Sequence, residues 1–278
     1  MPASADTLKI AALQTVATPS IERNLAAARR LIGDAAGQGA RLVALPEYFC
    51  FMGADDRDKL TIAEAPGDGP IQAALAEAAR AHAVWVIGGT LPIRVDGHPE
   101  VALNASCVFA PDGRLAARYD KMHLFRYDNG RERYDEGRVL RAGDAPVALD
   151  ADGWRVGLSV CYDLRFPELY RALSFAPGQP PCDLLAVPAA FTYTTGRAHW
   201  ELLLRARAVE NQCYVIAAAQ GGVHETGRRT WGHSMIVDPW GEVLGVLPEG
   251  EGVVMAEMQR ARISSVRTQL PALEHRRL

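Results

Sequence analysis

The sequence predicts an α/β fold of four layers, an αββα sandwich with an internal pseudo-two-fold repeat. Three observations predict it: β-branched apolar runs alternate with alanine-rich amphipathic stretches, the same order of runs occurs twice, and no linker-like segment parts the two occurrences. Each half has helices for one face of its sheet, and the uncovered apolar faces are buried by packing on each other. The 278 residues are therefore read as a single domain, 1–278, with a flexible tail at 1–7, half-repeats at about 8–121 and 154–247, and a C-terminal extension at 248–278.

The elements can be justified in order. LKIAALQ (8–14) is a first strand, and its counterpart in the second half is WRVGLSVC (154–161). Each leads to a helix, predicted over 21–36 and 167–174. RLVALPEYF (41–49) matches DLLAVPAAF (183–191), which sets Pro46 over Pro188 and Glu47 over Ala189. A second helix in each half is predicted over 71–82 and 198–212. VWVIGGT (84–90) then matches YVIAAAQ (214–220), and NASCVFAPDGRLAA (104–117) matches GHSMIVDPWGEVLG (232–245). This last pair shares a Pro-x-Gly turn, at 111–113 and 239–241, which marks the tip of a β-hairpin.

Composition narrows the function classes. A formal charge of -3 with 49% hydrophobic and 23% charged residues gives no electrostatic reason to expect nucleic acid as a partner. No run approaches the ~20 apolar residues of a membrane span, and the first residues lack the pattern of an export signal, so a cytoplasmic protein without a membrane partner is expected. Five cysteines, at 50, 107, 161, 182 and 213, are odd in number and never form Cys-x-x-Cys, which suggests neither a disulfide framework nor a zinc site. No paired His or carboxylate spacing suggests another metal.

Three residues stand out chemically. Cys161 ends an apolar run directly before a sharp turn and a helix. Free backbone N–H groups and the positive helix end at such a place favour a thiolate, so its pKa is expected to fall toward neutrality; the alternative is a buried structural cysteine. Glu47 follows an apolar run and a proline in ALPEYF, a position suited to a general base or to capping a helix or pairing with an arginine. The third is a lysine: among 30 basic residues only Lys9, Lys59 and Lys121 are not arginine. Lys9 enters the first strand and Lys59 lies in a charged stretch expected to be exposed. Lys121, in YDKMHLF after the first hairpin, is the candidate for a role that a planar guanidinium cannot fill. Glu47 and Cys161 both follow strands, one from each half, so the site is expected between the halves at the strand ends. Of the seven histidines only His123 and His233 have suggestive contexts, and a Cys-His arrangement is disfavoured.

LPEYF with Glu47, YDKMHLF with Lys121 and VCYDLRFPELY with Cys161 together resemble the Glu, Lys and Cys motifs of the nitrilase superfamily of carbon-nitrogen hydrolases. The resemblance runs from residue 8 to about 277. It implies the αββα sandwich, a homodimer or higher homo-oligomer, and no cofactor. It also implies a further catalytic acid, which falls on Glu136 in RYDEGRVL. The chemistry it implies is cysteine-dependent amide hydrolysis through a thioester, with Glu47 as base and with Lys121 and the backbone N–H of Tyr162 at the oxyanion.

Within the superfamily, Tyr-Asp-Leu-Arg-Phe-Pro-Glu after the cysteine is similar to the amidase branch that contains omega-amidase and deaminated glutathione amidase, with details at 212–220 leaning to the latter. That implies a small anionic amide, a 2-oxo dicarboxylate amide, as partner, with 2-oxoglutaramate or an N-carbamoyl amino acid as alternatives. Arg165 is the candidate carboxylate binder; Arg126, Arg131, Arg133 and Arg138 surround Glu136 and read mostly as solvated surface. FAPGQPPCD (175–183) departs from the branch and is expected to lie away from the strand ends.

Overall fold

The computed structural model describes residues 6–277. The first half runs β1 (Thr7–Gln14), α1 (Ile21–Gly37), β2 (Leu42–Ala44), a single turn α2 (Asp58–Thr61), α3 (Pro70–His82), β3 (Trp85–Ile87), β4 (Leu91–Arg94), β5 (Ala102–Phe109) and β6 (Leu115–Asp120). A connecting segment carries the small hairpin β7 (Arg126–Asp128) and β8 (Arg133–Asp135), a 3-10 turn (Glu136–Arg138) and β9 (Leu140–Arg141). The second half runs β10 (Ala148–Ala151), β11 (Trp154–Leu158), a 3-10 turn (Cys161–Arg165), α4 (Pro167–Ser174), β12 (Leu184–Ala186), α5 (Tyr193–Asn211), β13 (Tyr214–Ala217), β14 (Gly221–Val223), β15 (Arg229–Trp231), β16 (Ser234–Val237) and β17 (Val243–Leu247). The chain then adds β18 (Gly252–Gln259) and α6 (Arg260–Gln269). Residues 1–5 of the expected tail lie outside the described residues; Thr7 already belongs to β1.

The repeat is visible in the pairing. β1, β2 and β3 are parallel neighbours and β5 is antiparallel to β3; β11, β12 and β13 are parallel and β16 is antiparallel to β13. Both predicted hairpins form, with the turn glycines Gly113 and Gly241 at positive φ. Each sheet also gains an antiparallel strand beside its first one, from different places in the chain. β10, just upstream, pairs with β11, whereas β18, from the far end, pairs with all eight residues of β1. The C-terminal extension therefore completes the first sheet.

Alternation along β1 shows the layers. Ile10 and Ala12 point into the apolar core shared with the second sheet, while Ala11 and Leu13 point into a separate core with Leu31 and Ile32 of α1 and Leu75 of α3. The short parallel strands β2, β3 and β12 are buried along their whole length, as expected of strands covered on both faces. The 175–183 segment runs beside α6, with the Cys182 carbonyl accepting from Arg267, and it leads into the start of β12, the end opposite Cys161. Among the described residues no helix is long and apolar enough to cross a membrane.

Candidate active site

Glu47 leaves the end of β2 on a tight turn. Tyr48 adopts a left-handed backbone, φ 56, and its N–H donates to Thr90 Oγ1 at 2.9 Å. The chain passes so close here that a Cβ at Gly89, itself at φ 55, would collide with the Pro46 carbonyl. The Glu47 side chain is 1% exposed and held by three bonds: Oε1 accepts from Lys121 Nζ and Asn104 Nδ2, both at 2.9 Å, and Oε2 accepts from the Ala190 N–H of the other half at 3.0 Å.

Lys121 follows β6, and its N–H donates to the Asn104 carbonyl. Its ammonium is held between two carboxylates, Glu47 at 2.9 Å and Glu136 at 2.8 Å. Glu136 opens the 3-10 turn behind β8 and also accepts from Tyr48 Oη at 2.8 Å and the Phe125 N–H at 2.7 Å. Burial works against the Lys121 ammonium, but Glu136 and Glu47 outweigh it and hold its pKa above the ordinary lysine value. Burial likewise opposes the Glu136 carboxylate, and Lys121, then Lys59, prevail and keep its pKa below the usual range. The site is thus a buried cation with a hydrogen-bonded carboxylate on either side.

Cys161 begins its 3-10 turn with φ 49, a left-handed conformation that costs a non-glycine residue about 1–3 kcal/mol and is tolerated where surrounding bonds over-determine it. Those bonds are present. The Cys161 N–H donates to the Pro188 carbonyl, and Asp163, 0% exposed, accepts from the Val160 N–H at 2.8 Å. The same carboxylate accepts from the His123 N–H, pairs with His123 Nδ1 at 2.7 Å and accepts from Tyr119 Oη at 2.7 Å. Asp163 therefore ties the turn bearing the thiol to the segment bearing Lys121. His123 serves that clasp, stacked on Phe166, and His233 bonds the Trp231 carbonyl.

The expected fall of the cysteine pKa does not occur. Burial, then the neighbouring Glu47 carboxylate, push the Cys161 thiol well above its ordinary range, and the opposing pull of Lys121 does not prevail. The physical reason is that the thiol is enclosed with the Glu47 carboxylate nearby, while the turn that follows is too short and irregular to build a strong dipole. The resting Cys161 side chain is a neutral thiol beside the Glu47 carboxylate.

A narrow pocket reaches the thiol, walled by Phe125, Tyr162, Arg165, Phe191 and Thr195, with room for one water at most, about 10 Å³. Arg165 lies on it half-buried, beside the Phe191 ring at 5.2 Å, with Nη1 3.2 Å from His199 Nδ1. Arg126, Arg131, Arg133 and Arg138 are exposed, as read from the sequence. Lys59 corrects the expectation of exposure. It is 6% exposed, paired with Asp56 at 2.8 Å and set over the Tyr48 ring at 4.3 Å, because the α2 turn folds it inward above the site. Sequence reasoning also passed over Tyr48, Asn104 and Asp163; only Asn104, an amide in a largely apolar strand, carried a local signal.

The family model described as "Carbon-nitrogen hydrolase" matches residues 9–268. The chain belongs to the carbon-nitrogen hydrolase family. A deaminated glutathione amidase of Synechocystis sp. is similar to this carbon-nitrogen hydrolase at 43% identity, over 96% of this chain and 97% of that protein. Omega-amidase NIT2 of Homo sapiens is 38% identical over 91% of this chain and 89% of its own. Among solved structures, Nit3 of Saccharomyces cerevisiae, a member of branch 10 of the nitrilase superfamily, superposes with a TM-score of 0.87 at 30% identity, covering 99% of this chain and 98% of that one. Carbon-nitrogen hydrolase membership makes the chain a cysteine-dependent amidase.

Proposed function

We propose that Cys161 is the nucleophile, Glu47 the general base, and Lys121 with the Tyr162 N–H the oxyanion donors, in an amidase whose substrate is deaminated glutathione. The observation that carries the reading is one buried carboxylate, Glu47, paired with the ammonium of Lys121 at 2.9 Å and near enough to the enclosed thiol of Cys161 to raise its pKa. A neutral thiol requires its proton to be taken as it attacks, and Glu47 is positioned to take it. Thiolate addition to the amide carbonyl places negative charge on oxygen. The leading N–H groups of a 3-10 turn have no partner within it, so the Tyr162 N–H is free to donate there.

A lysine charge ~4 Å from that oxygen is worth about 4 kcal/mol at an effective dielectric near 20, close to the roughly 3 to 4 kcal/mol of a typical oxyanion donor. Collapse expels the amine, which takes the proton from Glu47, and leaves a thioester on Cys161. Glu47 then removes a proton from water, which adds to the thioester and releases the acid and the thiol. Glu136 holds Lys121 in register throughout. Arg165, on the wall of the narrow pocket, suits the carboxylate of the acyl part.

The same proposal includes a cytoplasmic homo-oligomer; Leu202 and Val209, two turns apart on α5, and Trp240 are 47% to 68% exposed, which supports assembly through that face. The test is product release from deaminated glutathione, 2-oxoglutaramate and an N-carbamoyl amino acid, with Cys161→Ala as the blank. Cysteinylglycine release from the first is expected to dominate. Preference for the carbamoyl compound would overturn the substrate assignment.

A further inference from the structure

An arginine-lined basin of about 390 Å³ lies beside this constellation and has no part in the mechanism above. It is walled by residues 53–57, by the segment around Glu136, and by the turn between β14 and β15. Arg57, Arg133, Arg138 and Arg228 bring positive charge to it; Asp55 and Asp56 bring negative charge, of which Asp56 is already matched by Lys59 at 2.8 Å. Arg133 lies 3.7 Å from Asp128. The balance remains positive.

Two polar groups on this wall lack partners. Arg228 Nε and Thr226 Oγ1 are both buried without a hydrogen bond among the described residues. Arg228 Nη1 reaches only the Met52 thioether, at 3.8 Å, a weak acceptor for a charged donor. The guanidinium is held in place over the Tyr134 ring at 5.2 Å. A fixed guanidinium next to an unpartnered hydroxyl is half of a carboxylate site, because a carboxylate supplies the acceptors both need.

One aromatic pair stands between the basin and the thiol. Tyr134 lines the basin and packs on Phe125 at 5.8 Å; Phe125 lines the narrow pocket that reaches Cys161. Two extended residues span about 7 Å, enough to cross a ring pair.

We infer that the basin binds the distal carboxylate of the peptide amine that leaves when Cys161 is acylated, with Arg228 as its principal partner, so that the enzyme favours amides of an anionic dipeptide over amides that release ammonia. This rests on the substrate reading above. The charge agrees: while still an amide, the scissile nitrogen is neutral, and the departing segment carries its terminal carboxylate alone.

The experiment compares KM and kcat on deaminated glutathione, on its glycine carboxamide, and on 2-oxoglutaramate, for the wild type and for Arg228→Gln. On deaminated glutathione the substitution is expected to raise KM about tenfold or more with kcat little changed, the loss of one charge-assisted contact. The carboxamide should show the same rise with the wild type and no further rise with the variant. The KM for 2-oxoglutaramate, which lacks the dipeptide, should move less than about twofold. Equal shifts on deaminated glutathione and 2-oxoglutaramate, or a wild type indifferent to amidation of the glycine carboxylate, would overturn the inference while leaving the substrate reading in place. A wild type inert toward deaminated glutathione would overturn both.

Discussion

Residues 46–48 and 188–190 occupy equivalent turns after the second parallel strand of each half, yet the first reads Pro-Glu-Tyr and the second Pro-Ala-Ala. At the first turn the chain presents a side chain, the Glu47 carboxylate. At the second it presents backbone: the Ala190 N–H donates to Glu47 and the Pro188 carbonyl accepts from the Cys161 N–H. The next equivalent strand ends behave alike. Thr90 in one half holds the Tyr48 N–H, and Gln220 in the other bonds the Glu47 carbonyl and the Ala17 N–H. Duplication built the frame, and chemistry arises where the copies differ. The first half and the connecting segment supply charge; the second supplies the thiol and the bonds that fix its turn.

The largest test of this contrast removes the charge that distinguishes the two turns. Glu47→Gln keeps the shape and removes the proposed base, and single-turnover acylation should slow by roughly 10³-fold, within the range for general base catalysis. Next, Lys121→Arg should lower kcat several hundredfold or more, since the planar group cannot sit between Glu47 and Glu136 and reach the oxyanion. Near-normal turnover by this variant would remove the lysine from the mechanism.

Placing a carboxylate on the backbone-presenting turn probes the contrast from the other side. Ala189→Glu buries a charge with no lysine beside it, and urea unfolding should show a loss of about 3 kcal/mol or more, with no activity recovered when it is combined with Glu47→Ala. Asp163→Asn should cost about 1–3 kcal/mol of stability and reduce kcat more than it raises KM, because the clasp between the thiol turn and the lysine segment loses acceptors. An unchanged kcat in a folded variant would make Asp163 a structural residue only.

The smallest effects concern protonation. The ultraviolet difference between wild type and Cys161→Ala should show no thiolate step below pH 9, since burial and Glu47 hold that thiol above its ordinary value. Glu136 is depressed in the folded state, so its contribution to stability is present above the unfolded carboxylate pKa of about 4.3 and is lost as pH falls through the lower, folded value. The stability gap between wild type and Glu136→Gln should therefore be widest near neutrality and close in acid.

Much of this was legible because the signals were local or repeated. The helix at Pro167–Ser174 and the two hairpins follow from periodicity and turn chemistry, and the repeat placed Glu47 and Cys161 at neighbouring strand ends. What escaped depends on distant partners. Lys59 sits among Asp55, Asp56, Arg57 and Asp58, so nothing nearby indicates that it tucks over Tyr48. Tyr48 and Asn104 become site residues only once Glu136 and Glu47 approach them. The thiol's protonation reflects enclosure, which a strand-to-helix pattern does not report.

The pairing of β18 with β1 bears on how the protein is made. The second sheet acquires its flanking strand from the segment immediately before it, so that unit can close as it emerges. The first sheet keeps an open edge along Thr7–Gln14 until Gly252–Gln259 has been synthesised. During synthesis β1 therefore waits longest of this sheet's strands for its outer neighbour, exposing unpaired backbone to any other nascent chain. A polysome carrying many copies brings such open edges closest together.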